Sequence, residues 1–186
     1  MSEQTIQDNL YSIPVTILDK YTCLSLGATT INDLIKTGKL KSVKVSKNLS
    51  KKPDVLIINK NKEVVVFLEF KTPQELNTQA KIDKAIKQEI SVAQEIGAKI
   101  YVVTDGDKYI WLNPTTGNLI TDENGTPIIR KIDPKAEPKK LAEFIDLVSL
   151  SVSSENDTIL RLEDIDPTDL AKKIARILKR MTFASS

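Results

Sequence analysis

Two apolar runs separated by a short polar turn constrain this chain more than any other stretch. Residues 53 to 58 read Pro-Asp-Val-Leu-Ile-Ile, residues 64 to 68 read Val-Val-Val-Phe-Leu, and Asn59-Lys60-Asn61-Lys62 lies between them. Runs rich in Val and Ile, bounded by Pro and Asn, favour strands, so the pair predicts a hairpin with Asn59 to Lys62 as its turn. That hairpin brings Asp54, at the start of one strand, beside Glu69, at the end of the other. Lys71 follows Glu69 by two residues and projects from the same face, because side-chain direction in a strand repeats every second residue.

Two neighbouring carboxylates repel and bury badly unless a cation lies between them, and a hard divalent ion such as magnesium prefers oxygen ligands of this kind. Each half of the pattern also has a plain structural reading. An Asp after Pro is a common turn residue, and Glu-x-Lys at a strand end is a common solvated edge. The apolar stretch from Val64 to Leu68 argues against the edge, since a charge beside it is costly to hold.

The spacing of Pro53-Asp54 and Glu69-x-Lys71 resembles the signature of the PD-(D/E)xK nuclease superfamily. Residues 50 to 113 resemble the nuclease domain at the N-terminus of type I restriction enzyme motor subunits and of related fused restriction-modification proteins. In that family a helix bearing a Gln-x-x-x-Tyr element follows the Glu-x-Lys strand. Gln88 matches the glutamine, whereas Val92 stands at the tyrosine position. Ile100 to Leu112 fits the family's final hairpin. The resemblance implies an α/β fold with a restriction-endonuclease-like core, its mixed central sheet flanked by helices. It also implies a magnesium-dependent DNA endonuclease, manganese being a possible substitute. Asp54 and Glu69 would hold the metal with the Phe70 backbone carbonyl, Lys71 would orient the attacking water, and Gln88 would help order the site. The alternative is a catalytically inactive DNA-binding or assembly module that keeps the fold.

Composition removes many other chemistries. The chain has 186 residues, 40% of them hydrophobic, enough for one sizeable core. It contains no histidine, which excludes Ser-His-Asp and Cys-His systems, HExxH zinc proteases and histidine-based nucleases. The single cysteine, Cys23, excludes an internal disulfide and a cysteine-cluster zinc site. Neither a P-loop nor a dinucleotide-binding glycine pattern is present. No membrane-spanning run or signal-peptide pattern is visible, so a cytoplasmic protein without a membrane partner is expected.

Net charge is only +2, but it is unevenly placed. From Lys36 to Lys62 there are nine lysines against the single acid Asp54, whereas residues 133 to 169 carry ten acids against four basic residues. The lysine run is either an ordinary solvated surface or an approach for a polyanion. Lys44, Lys47, Lys51 and Lys52 are its candidates for DNA contact.

Elsewhere, residues 2 to 11 predict a short helix or ordered arm, and Ile13 to Leu18 is ambiguous between strand and loop. Thr30 to Asp33 starts a short helix ending near Gly38, in which Asp33 is either a capping residue or a further metal ligand. A long helix is expected from Gln74 to Ile96, begun by Pro73 and closed by Gly97. Its apolar face is Ile82, Ala85, Ile86, Ile90, Ala93 and Ile96. Lys81, Lys84 and Gln88 form a neighbouring row that either flanks the cleft or is simply solvated. Ile128-Ile129 is a candidate edge strand, and residues 135 to 150 predict a helix covering the core through Leu141, Phe144, Ile145 and Val148.

The expected organisation is a nuclease-like domain over residues 1–150, then a polar linker and an amphipathic helix over residues 151–186. The helix, Pro167 to Met181, has an apolar stripe that calls for a partner. The run from Asp166 to Ala171 resembles the junction at which fused nuclease-methyltransferases continue into a methylase module. A fragment or truncated gene product is therefore expected, with DNA and a methyltransferase or specificity module as partners.

Overall fold

The hairpin expected from the two apolar runs forms the middle of a sheet. The computed structural model describes residues 15–25, 27, 29–43, 48–153 and 158. Strands β1 (Val15–Ile17) and β2 (Tyr21–Ser25) precede the hairpin strands β3 (Val55–Asn59) and β4 (Val64–Phe70), and β5 (Ile100–Thr104) and β6 (Tyr109–Leu112) follow it. Among the described residues these make one six-stranded sheet in sequence order, antiparallel except between β4 and β5. Helix α1 (Ile31–Lys36) lies between β2 and β3, α2 (Gln79–Glu95) between β4 and β5, and α3 (Pro138–Ser153) after β6. A parallel pair cannot be closed by a tight turn, and α2 makes the crossover between β4 and β5. The architecture is α/β, a mixed sheet flanked by helices.

Asn59 pins the central turn. Its side chain accepts from the Glu63 N–H and donates to the Glu63 carboxylate, while Lys62 takes a left-handed φ of 61°. Beyond the turn, pairing slips by one residue between Ile57 and Ile58, leaving Val65 as an extra residue in β4. Val65 and Val66 then both enter the same apolar cluster, and regular alternation resumes from Phe67.

Both faces of the sheet are covered. One packs Leu68, Phe70, Val102 and Trp111 against Leu141, Ala142, Ile145 and Val148 of α3. The other packs Leu56, Phe67, Tyr101 and Val103 against Ile31 and Leu34 of α1 and Ala85, Val92 and Ala93 of α2. Each fully buried aliphatic or aromatic side chain contributes about 1.5–3 kcal/mol. Cys23 lies in the first cluster with its thiol pushed up to about 12 by burial, an inert core residue.

Several expectations are corrected. The long helix begins at Gln79 rather than Gln74, because Pro73–Glu75 forms a separate 3-10 turn. Glu75 closes that turn by accepting from the Thr72 N–H and hydroxyl, and the fully buried Leu76 draws the chain into the core before it restarts at Gln79 from an extended Thr78. Ile128-Ile129 forms no strand. Only an isolated bridge joins Thr121 to Pro127, which has no N–H to extend a ladder, and Ile129 is 80% exposed. Helix α3 runs to Ser153, into the expected linker, with Val152 packed against the apolar cluster and Ser151 and Ser153 donating to the carbonyls of Leu147 and Ser149. The expected arm at residues 2 to 11 and helix at Pro167 to Met181 lie outside the described residues.

Candidate functional site

The register of the hairpin assembles the site. Val55 pairs with Leu68, so Asp54 falls opposite Glu69 one step beyond the end of β3. Leu68 and Phe70 enter the α3 face, which leaves Glu69 and Lys71 on the α2 face. The Phe70 N–H donates to Asp54 Oδ2 at 2.8 Å, and Lys71 Nζ donates to Glu69 Oε1 at 2.9 Å. Phe70 was expected to offer its carbonyl; the contact it makes with Asp54 is through its amide, with its ring buried on the opposite face. The Lys71 N–H continues the ladder to the Thr104 carbonyl at 2.8 Å, so the ammonium is carried on sheet-like backbone.

Electrostatics make the carboxyl pair tense. The Lys71 and Glu69 side chains are only 12% and 14% exposed. Burial and then the Asp54 charge push the Glu69 carboxyl up to about 8, against the pull of Lys71. Burial also raises Asp54, although the Phe70 amide, Lys71 and a hydrogen bond from Glu69 favour its ionised form. The two carboxyls are coupled, and burial disfavours the fully ionised pair.

One carboxylate of this neighbourhood is not among the residues expected from the sequence. Glu89, on α2, raises the carboxyls of both Asp54 and Glu69, and Lys51 Nζ pairs with its Oε1 at 2.9 Å. The readable signal was a charge inside an apolar stripe, four residues after Ala85 and three before Val92. Tyr101, from β5, is the other unanticipated member. Its phenol is fully buried on the same face, and Glu69, Glu89 and Asp54 all act on it.

Other expected residues are placed elsewhere. Gln88 is exposed and lines an open hollow with Ala80, Asp83, Lys84 and Lys87. Lys81 donates to the Gln74 carbonyl at 2.7 Å. Asp33 is exposed in the first turn of α1, where its N–H donates to Oγ1 of Thr30, the N-cap, and its carboxylate accepts from the Thr30 hydroxyl at 2.6 Å. Lys52 is exposed before β3, and Lys44 and Lys47 lie outside the described residues. Lys60 and Lys62 sit in the turn, separated from Asp54 by the five residues of β3, roughly 15 Å. Lys41 pairs with Glu63 at 2.7 Å. The lysine run is therefore divided between the two ends of the hairpin.

Comparison with family models, with curated proteins and with solved structures gives no match. The site's own chemistry carries the functional reading. Among the described residues no group of three or more His, Cys, Asp or Glu side chains is placed to hold a metal ion. Asp54 and Glu69 supply two hard oxygen donors in a part-buried setting. That suits magnesium, which binds through one or two carboxylates and fills its remaining positions with water and phosphate oxygens. Zinc or copper sites built on imidazole and thiolate have no counterpart here, since histidine is absent and Cys23 is buried in the core. Among the described residues no helix is long and apolar enough to cross a membrane.

Proposed function

We propose that this chain is a magnesium-dependent DNA endonuclease with a restriction-endonuclease-like core, acting as the nuclease module of a restriction-modification system. The observation that carries the reading is the convergence of Asp54, Glu69 and Lys71 on one face at the end of the central hairpin. An uncompensated carboxyl pair is expensive to bury, and a bound divalent cation would offset that cost. Asp54 and Glu69 would hold the ion. When bound, it would polarise a phosphoryl oxygen and lower the pKa of a coordinated water. Lys71, released from Glu69, would orient the attacking water and stabilise negative charge developing on the phosphate. The phosphodiester P–O bond would break as the water oxygen attacks phosphorus, the water giving up a proton to solvent and the leaving alkoxide taking one from it. Sequence recognition would belong to a specificity or methyltransferase partner, since nothing in the described chain presents a base-reading helix.

The competing reading, a DNA-binding or assembly module without cleavage, is favoured by the absence of a third grouped carboxylate among the described residues. Incubating supercoiled plasmid with magnesium, manganese or chelator separates the two. Nicking that requires the cation and disappears in Asp54→Asn, Glu69→Gln and Lys71→Met supports the nuclease. A shift in DNA mobility with no nicking by the parent chain would leave the binding module.

A further inference from the structure

Tyr101 carries a polar atom that the fold does not use. Its side chain is fully buried between Phe67, 5.5 Å away ring to ring, and the Ala85, Val92 and Ala93 face of α2. Among the described residues its hydroxyl has no hydrogen-bond partner. A phenylalanine would fill the same space without stranding an O–H in an apolar layer, so packing alone does not account for the oxygen.

Position supplies a use for it. Across the parallel pair Glu69 is in register with Val103, and Tyr101 lies two residues before Val103, on the same face of the neighbouring strand. Of the carboxylates that act on the phenol, Glu69 acts most strongly, ahead of Glu89 and Asp54. In this structure Lys71 Nζ donates to Glu69 Oε1. A Glu69 carboxylate that coordinates a cation is acceptor-only and can take a further hydrogen bond from a neutral donor. The tyrosine hydroxyl is a neutral donor enclosed on that face.

We propose that Tyr101 is a positioning residue, its hydroxyl donating to the Glu69 carboxylate when a divalent cation occupies the site. The proposal rests on the metal-dependent reading above and deepens it. An oriented, hydrogen-bonded ligand binds its ion more tightly than a free one, because less rotamer freedom is lost on binding. The same hydroxyl is a liability to the metal-free protein, in which it is buried with no partner among the described residues.

Opposite effects on the two states provide the test. The variant is Tyr101→Phe in the full chain, and the readouts are the metal-free Tm and the Kd for Mn2+ measured by its electron paramagnetic resonance signal. The expected result is a metal-free Tm equal to or above the parent's, with Mn2+ binding weakened about tenfold. The weakening should persist when Tyr101→Phe is made in a Glu89→Gln background, which marks Glu69 as the acceptor. Parental Mn2+ affinity in Tyr101→Phe would overturn the proposal while leaving the metal site standing. Loss of the effect in the Glu89→Gln background would overturn the choice of Glu69. Failure of the parent chain to bind Mn2+ would overturn both this inference and the reading beneath it.

Discussion

The two faces of the sheet are built from the same strands and have opposite characters. Under α3, Trp111, Phe70, Leu68 and Val102 make a closed apolar layer in which the Trp111 indole N–H is satisfied by the Arg130 carbonyl and the Phe144 ring meets the indole edge-on. Under α2, successive alternate positions of β4 carry Phe67, then Glu69, and Lys71 follows beyond the strand end, with Tyr101 and Glu89 beside them. One face is almost wholly apolar; the other sets two carboxylates, an ammonium and a phenol into its apolar layer. A strand can separate stability from chemistry by alternation, without a loop to isolate the site.

That contrast is most severely tested by exchanging losses between the faces. Asp54→Asn, Glu69→Gln and Lys71→Met should each reduce cleavage by about a thousandfold or more while retaining a folded chain, as read by plasmid nicking and circular dichroism. Trp111→Ala should do the reverse, costing about 3–5 kcal/mol in urea unfolding with no specific effect on cation affinity in the remaining folded protein. If the site variants unfold the chain, the charged face is structural and the contrast fails.

Stability against pH sharpens the same point. The Glu69 carboxyl is raised in the folded state, so the folded protein binds this proton more tightly than the unfolded chain does. Stability of the metal-free protein should therefore be greatest at the ordinary glutamate pKa and below, and decline as pH rises towards about 8. Glu69→Gln should remove most of the decline, and saturating magnesium should reverse it. Glu89→Gln should make the decline smaller and end it at lower pH, because removing its repulsion brings the folded Glu69 carboxyl closer to its ordinary value. Melting temperatures across a pH series, with and without the ion, give the answer. A metal-free Tm that rises through this window would show that the pair is not strained.

Smaller effects belong to the rim. Lys51→Gln with Lys52→Gln should weaken binding to unrelated duplexes alike and reduce the slope of log affinity against log salt by up to about 2. Gln88→Ala should leave cleavage within about twofold of the parent, since the side chain faces the hollow beside Lys84 and Lys87 rather than the carboxyl pair. A tenfold loss in plasmid nicking would return Gln88 to the site.

Much of this was legible because β-branched runs and their turn declare themselves locally. The β3–β4 hairpin, the apolar stripe of α2, the β5–β6 hairpin and the core face of α3 all follow from periodicity. The β1–β2 hairpin did not, because its turn is made by Leu18 and Asp19 at left-handed φ values of 52° and 51°, without the glycine that would advertise it. Glu89 was missed for a different reason. One residue of helix is a rotation of about 100°, and Gln88 is exposed beside Lys84 and Lys87 while its neighbour Glu89 acts on the carboxyl pair. The orphaned oxygen of Tyr101 could not be read from sequence, as it depends on what three separate elements place around it.

The extra residue Val65 has a consequence for how such a chain can vary. It is slack in the strand: pairing with β3 fixes which face receives Glu69 and which receives Phe70, and the bulge takes up the one residue that the ladder does not use. The polar turn at Lys60 and Asn61 can change composition freely, and deletion of Val65 would close the bulge into a regular ladder, with Ile58–Val64 next to Ile57–Val66 and Glu69 still on the α2 face. Chains that descend with this hairpin can therefore lose the extra residue without moving the carboxylate, provided that Val55 and Leu68 keep their pairing.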